Sequence, residues 1–197
     1  MSYDDAISLA RENLSKLDPE CVTKACGVPY EDGDYHVPWF NMKVKLSDAA
    51  DTQKILWLHY LAANGAKEPK GRLIAYREAA PALFYEPNFY KRAVMPIVKY
   101  FGKRADKLIA AGRSLGGSEA GVGDASVCAR ALPYLPVTFV IWEGSDEFPP
   151  EGNILFDITC KTWFGAEDLA VLASCAAYEL IGAGKRIPDG EGTAGAP

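Results

Sequence analysis

ASVCARALPYLPVTFVIWEGSDEFPPEGNILFD, residues 125–157, contains three short apolar runs separated by PYLP and by GSDEFPPEG. Connections this short leave no room for a parallel crossover, so the runs read as an antiparallel meander. In the middle run Val137, Phe139 and Ile141 alternate with Val140 and Trp142, which makes both faces apolar. That is the pattern of a central strand covered on two sides, and helices are expected to cover at least one of them. The expected fold class is α+β: an antiparallel sheet of roughly four to five strands with helices packed on it, forming a single domain.

Working outward, the domain is expected to span residues 1–187, with PDGEGTAGAP at 188–197 read as a disordered tail. Ala6, Ile7, Ala10, Leu14 and Leu17 form the stripe of an amphipathic helix that ends before Asp18-Pro19. DPECVTKACG then reads as a short helix with Asp18 at its N-cap, Pro19 at its first position and Gly27 beyond its end. After a DG turn signal, a strand is expected around Met42, Val44 and Leu46, its beginning confined by Pro38 to an edge or bulge. Asp48 or Asp51 caps a helix through TQKILWLHYLAANG, stopped at Asn64-Gly65.

GRLIAYREA reads as a short strand with Leu73 and Ala75 opposite Ile74 and Tyr76. Val94, Ile97, Val98, Phe101, Leu108 and Ile109 mark one helix lasting to about Leu115, with Lys99, Lys103, Arg104 and Lys107 as its solvated face. GAEDLAVLASCAAYELIGAGKR opens with acids and closes with bases, which complements a helix dipole. Its Leu169, Leu172, Ala173, Ala176 and Leu180 share one face.

With 26 acids against 21 Lys plus Arg, the net charge of −5 supplies no overall field for phosphate backbones or anionic lipid. No nucleic-acid or membrane partner is expected. MSYDDAISLARENL lacks a basic region followed by an apolar one, so a cytoplasmic location is expected. The five cysteines are odd in number and scattered, which favours free thiols over a disulfide framework. On the short helix Cys21 and Cys26 point about 140° apart and do not converge on one metal ion. LGGSEAGVGD follows a helix and precedes a strand, the reverse of the order a phosphate cradle needs, so Gly116 and Gly117 read as a helix stop.

Three sets of residues are candidates for chemistry. Glu143, Asp146, Glu147 and Glu151 crowd one hairpin loop, with Asp157 on the next strand; Asp146, Glu147 and Asp157 are the candidate acid–base groups. A solvated loop explains the same acids, although a rigid loop carrying Phe148 and Pro149-Pro150 also suits a binding lip. His59, on an apolar helix, is expected to face packing, whereas His36, among aromatics in DYHVPWF, could serve as an axial ligand to haem iron or corrinoid cobalt. Both histidines are kept as cofactor-binding candidates together with Tyr35, Trp39, Phe84, Tyr85, Phe89 and Trp142, an aromatic supply able to line a site. Arg77 and Arg130 fall on expected strands, where Asp157 is the natural ion-pair partner. The signatures SxxK and HExxH of nucleophilic or metal-assisted catalysis do not occur.

The meander, its VTFVIWEG and EFPPEGNILFD segments above all, and the upstream TQKILWLHYLAANGA, GRLIAYREA and ALFYEPNFYKR together resemble family number 3786 among domains of unknown function, over most of residues 30–182. The resemblance implies a family met mainly in anaerobic bacteria and archaea. Some of its members carry an added cysteine-rich iron–sulfur segment like that of corrinoid iron–sulfur proteins, which this sequence lacks. What it implies for function is an accessory role near tetrapyrrole or other metal-cofactor metabolism. The expectation is therefore a non-catalytic protein that binds a small molecule, possible cofactors being haem or a corrinoid, or that serves a metal-cofactor protein. The alternatives are a small carboxylate-dependent hydrolase or lyase and a protein-interaction module.

Overall fold

Val137, Phe139, Val140 and Ile141 of strand β7 (Leu135–Trp142) are completely inaccessible to solvent. A strand reaches that state only with neighbours on both edges and cover on both faces, and each such side chain gains about 1.5–3 kcal/mol from leaving water. In the computed structural model, which describes residues 3–79 and 85–188, β7 pairs antiparallel with β6 (Ala125–Leu132) and with β8 (Glu151–Asp157). Edge strands β4 (Leu73–Ala75) and β5 (Ser118–Glu119) complete a five-stranded sheet in the order β4-β8-β7-β6-β5. The molecule is a single α+β domain, as the sequence leads one to expect.

A second, three-stranded sheet is built from β1 (Tyr30–Glu31), β2 (Asp34–Trp39) and β3 (Met42–Lys45). Asp32 and Gly33 both take positive φ, 52° and 80°, the geometry that makes DG a tight hairpin turn. Pro38 lies inside β2, opposite Lys43 of β3; β1 reaches only as far as Tyr35, so the missing N–H of Pro38 costs no ladder bond. The small sheet is sewn to the rest by its β2–β3 turn. Phe40 N–H donates to Ala131 O at 3.1 Å, and Asn41 Nδ2 donates to Ser114 O at 2.8 Å.

Helices cover the face of the large sheet formed by Val127, Val137, Phe139, Ile154 and Phe156. The 21-residue α8 (Ala166–Arg186) runs through the middle of the helical layer, with Leu169, Leu172, Ala173, Ala176 and Leu180 completely buried. Beside it α7 (Ala105–Ser114) lies directly on β6 because Gly112 has no side chain: a Cβ there would stand 2.1 Å from Val127 Cγ2. Around these pack α1 (Tyr3–Ser15), α2 (Pro19–Cys26) and α3 (Asp51–Ala62). Asp18 caps α2 by accepting from Cys21 N–H at 2.9 Å, and Gly27 closes it at φ 72°.

The structure corrects the sequence reading at several boundaries. The helix expected from Val94 to Leu115 is two, α6 (Met95–Phe101) and α7, parted at Gly102 because Pro150 of the acidic loop presses there: a Cβ on Gly102 would sit 2.6 Å from Pro150 Cβ. Ahead of α6, α5 (Glu86–Phe89) continues into a π turn, Tyr90–Val94. Pro96 cannot donate to the carbonyl of Arg92, so the coil widens there and Ser174 Oγ donates to Arg92 O instead, at 3.3 Å. β4 ends at Ala75, and Tyr76 opens a helical turn, α4 (Tyr76–Ala79), which Glu78 caps by accepting from Ala75 N–H at 3.1 Å.

The α3 cap is Ala50, with Asp51 the first helical residue rather than the cap. The basic strip is not wholly solvated: Lys107 is buried, and with Arg104 it lies over the Tyr100 ring, at 5.9 Å and 4.5 Å from the centroid. Of the expected tail, residues 189–197 lie outside the described residues.

Two glycines on neighbouring helices should respond in opposite directions to alanine. Gly112→Ala is expected to destabilise by about 1–3 kcal/mol, because overpacking against Val127 outweighs the helix-propensity gain. At Gly182 an added Cβ meets only the flexible end of Arg186, at 3.6 Å. There the same change is expected to stabilise by about 0.5–1 kcal/mol, and urea unfolding of both variants checks the pair.

Candidate functional site

The acidic loop turns toward water. Asp146 and Glu147 are exposed, Phe148 keeps 69% of its surface accessible, and the loop's own bonds are structural. Ser145 Oγ accepts from the N–H groups of Glu147 and Phe148, each at 3.2 Å, and Glu143 Oε1 accepts from Ala105 N–H at 3.1 Å, capping α7. The loop is a clamp over the α6–α7 break. Asp146 and Glu147 line none of the cavities described below.

Asp157, by contrast, is buried, and its Oδ1 is fully engaged. It accepts from Thr159 Oγ1 at 2.7 Å, Thr159 N–H at 3.0 Å and Lys70 N–H at 3.1 Å, capping the 3-10 turn Ile158–Thr162. Burial alone would raise its pKa, but these donors outweigh burial and the net shift is downward. A carboxylate so held anchors backbone rather than shuttling protons. The ion pairs expected for it do not form: Arg77 leaves the sheet with α4 and grips Glu86, and Arg130 makes no ion pair or hydrogen bond among the described residues.

The candidate histidines and aromatics are dispersed. His36 is mostly buried on β2, with Nδ1 3.9 Å from Glu31 Oε2 and Nε2 without a hydrogen-bond partner. His59 does not face packing. It is exposed on the last turn of α3, where Nδ1 lies 2.8 Å from Asp168 Oδ1 in the first turn of α8. Tyr35 and Trp39 are core rings of the small sheet, Trp39 packing on Phe40 and Trp57 and donating from Nε1 to Glu179 at 3.3 Å. Phe89 stacks on Tyr76 at 4.2 Å elsewhere in the core, while Tyr85 and Trp142 are exposed. Phe84 lies outside the described residues. Among the described residues these rings share no common cavity.

A cavity of about 500 Å³ does open on the sheet face opposite the helices. By the alternation of the strands, Cys128 and Arg130 of β6, Pro136 of β7, Asp157 of β8 and Leu73 of β4 share that face. These side chains form the cavity floor. One wall is the Phe40-Asn41 turn, another is Leu115 and Gly116 at the end of α7 with Ser118 of β5, and a third is Pro69 with Gly71. Three backbone positions at the walls take positive φ: Gly71 and Gly116, and also Phe40 at 53°, a conformation that is an outlier for a bulky residue. Strain of this kind, about 1–3 kcal/mol, persists where surroundings over-determine it, and it is concentrated at binding sites. Among the described residues the charges lining the cavity are Asp157, whose Oδ1 already accepts three hydrogen bonds, and Arg130, exposed and unpaired.

The match to a family model is decisive for kinship, covering residues 18–179. The chain belongs to the family described as domain of unknown function (DUF3786). No curated protein and no solved structure matches it. Every residue lining the sheet-face cavity falls within the DUF3786 span. A larger groove of about 710 Å³ borders Tyr35, Lys45 and the Asp32-Gly33 turn, but it takes Arg11, Leu14 and Leu17 from the segment before that span. The sheet-face cavity is thus the better candidate for what DUF3786 chains share. Sequence reasoning singled out Arg130 and Asp157 as a pair. Asn41 and Cys128 carried no pattern that could have drawn attention to them.

The His59–Asp168 pair pins α3 to α8. The hydrogen bond to Asp168 outweighs burial and raises the imidazole pKa above its ordinary 6.5. Its stabilisation is therefore complete below about pH 6.5 and lost as pH rises through the raised folded-state value. Because the ring is about half exposed, the coupling should stay within about 1 kcal/mol. A double-mutant cycle of His59→Asn and Asp168→Asn is expected to give a larger coupling at pH 5.5 than at pH 8.5.

Proposed function

We propose that this protein is a non-catalytic binder of a small, largely apolar molecule carrying an anionic group, a carboxylate or a phosphate, held on the sheet face with Arg130 as its anchor. One observation carries the reading: Arg130 has no ionic partner among the described residues and lines a cavity otherwise walled mainly by Phe40, Pro69, Leu73, Leu115 and Pro136. A guanidinium offers a fork of N–H donors that suits either anion, and apolar walls with few polar groups are the common composition of ligand sites. Asn41, Ser118 and Cys128 add polar contacts.

Support for a purely binding role comes from the same lining. Among the described residues it holds no histidine, and Oδ1 of its one carboxylate, Asp157, already accepts three hydrogen bonds. Haem, with its propionates, belongs to the ligand class proposed. Axial ligation by His36 or His59 gains no support, since neither lines this cavity.

Thermal unfolding with octanoate, octyl phosphate, haem and octanol, on the native chain and on Arg130→Met, tests the proposal. An anionic probe at a hundred times its Kd should stabilise by about 2.7 kcal/mol. That gain is expected to vanish in the variant and to be absent with octanol. Equal stabilisation by octanol, or unchanged binding by Arg130→Met, would overturn the assignment.

A further inference from the structure

A second cavity, of about 260 Å³, lies on the helical side of the molecule, where α8 meets α5, the π turn and the start of α3. Its charged lining is one residue of each sign, Arg92 from the π turn and Glu167 from the first turn of α8. Neither makes a side-chain hydrogen bond or ion pair among the described residues. Neighbouring groups account for that. His59 is hydrogen-bonded to Asp168 and meets Glu167 only through its charge, which leaves the Glu167 carboxylate without a hydrogen bond; Arg77 holds Glu86, which removes that carboxylate as a partner for Arg92.

The placement of the two charges is built into the fold. Pro96 follows the π turn and has no N–H for the Arg92 carbonyl, which accepts from Ser174 Oγ instead, so the Arg92 backbone is fixed against α8 at Ser174. Glu167 is seven residues earlier on the same helix, about 10 Å along its axis. Between them the cleft presents Thr52, Asn88 and Ser174 as neutral hydrogen-bonding groups and the Tyr85 ring as a wall. Its volume falls below the roughly 300–1,000 Å³ of sites for drug-sized molecules.

We infer that this cleft binds a small zwitterion of the α-amino-acid class, its carboxylate on Arg92 and its ammonium on Glu167. A molecule carrying both charges satisfies both side chains at once. A simple anion leaves Glu167 opposed to it, and a simple cation is repelled by Arg92. The site is separate from the sheet-face cavity and uses none of its residues.

The experiment is calorimetric titration of the full chain with each of the common α-amino acids, and of every one that binds with its N-acetyl and methyl-ester forms. At least one free amino acid is expected to bind, and blocking either of its ends should weaken binding about tenfold or more, since a hydrogen bond to a charged group is lost. Arg92→Gln should erase the penalty for the methyl ester and Glu167→Gln the penalty for the N-acetyl form, while Arg130→Met leaves both penalties in place. Both cleft residues are exposed, and circular dichroism verifies that the variants fold. If no amino acid binds, if blocked forms bind equally, or if both cleft variants keep the native preferences, the inference fails.

Discussion

A strand buried on both faces needs two covers, and β7 receives them from different materials. On one side α7 descends onto β6 through Gly112, and α8 fills the middle of the helical layer. On the other side the cover is loop: a Cβ on Gly123 would meet Val140 Cγ1 at 2.7 Å, and the Phe40-Asn41 turn is tied across to Ala131 and Ser114. Helices close-pack on a sheet, whereas loops with fixed backbone needs do not tile it. The cavity over Cys128 and Arg130 follows from that difference, and so does the location of the proposed ligand.

The same logic explains where charge is spent. Many acids and bases among the described residues are committed, to caps such as Asp18, Glu78 and Asp157 or to pairs such as Arg77–Glu86 and Lys43–Glu31. The acidic loop belongs with them. Glu143 and Pro150 fix the break between α6 and α7, and Asp146 and Glu147 simply keep the exposed tip solvated. Arg130, Arg92 and Glu167 differ from those groups: each lines a cavity and none makes a side-chain hydrogen bond or ion pair among the described residues.

How much of this was legible in the sequence depends on whether the cause was local. The meander was readable from alternation and short turns, and α2 from Asp18, Pro19 and Gly27, since those signals act within a few residues. The α6–α7 break was not, because Pro150, far along the chain, imposes it at Gly102. Likewise the Arg130–Asp157 pairing failed because Asp157 found backbone donors at Thr159 and Lys70 that no periodicity reveals. His59 sits on a helix that is apolar nearly all round, and only the docking of α8 determines that Asp168 meets it. The aromatic supply was real but composition does not say where rings gather, and here they serve separate parts of the core.

The central claim is that the sheet face left to loops is the binding face. Amide chemical-shift mapping with octanoate on uniformly labelled protein tests it most directly. The account predicts shifts concentrated at Phe40, Asn41, Gly71, Leu73, Gly116, Cys128 and Arg130, with α8 unmoved. Shifts centred on the helical side, or no saturable shifts at all, would contradict it.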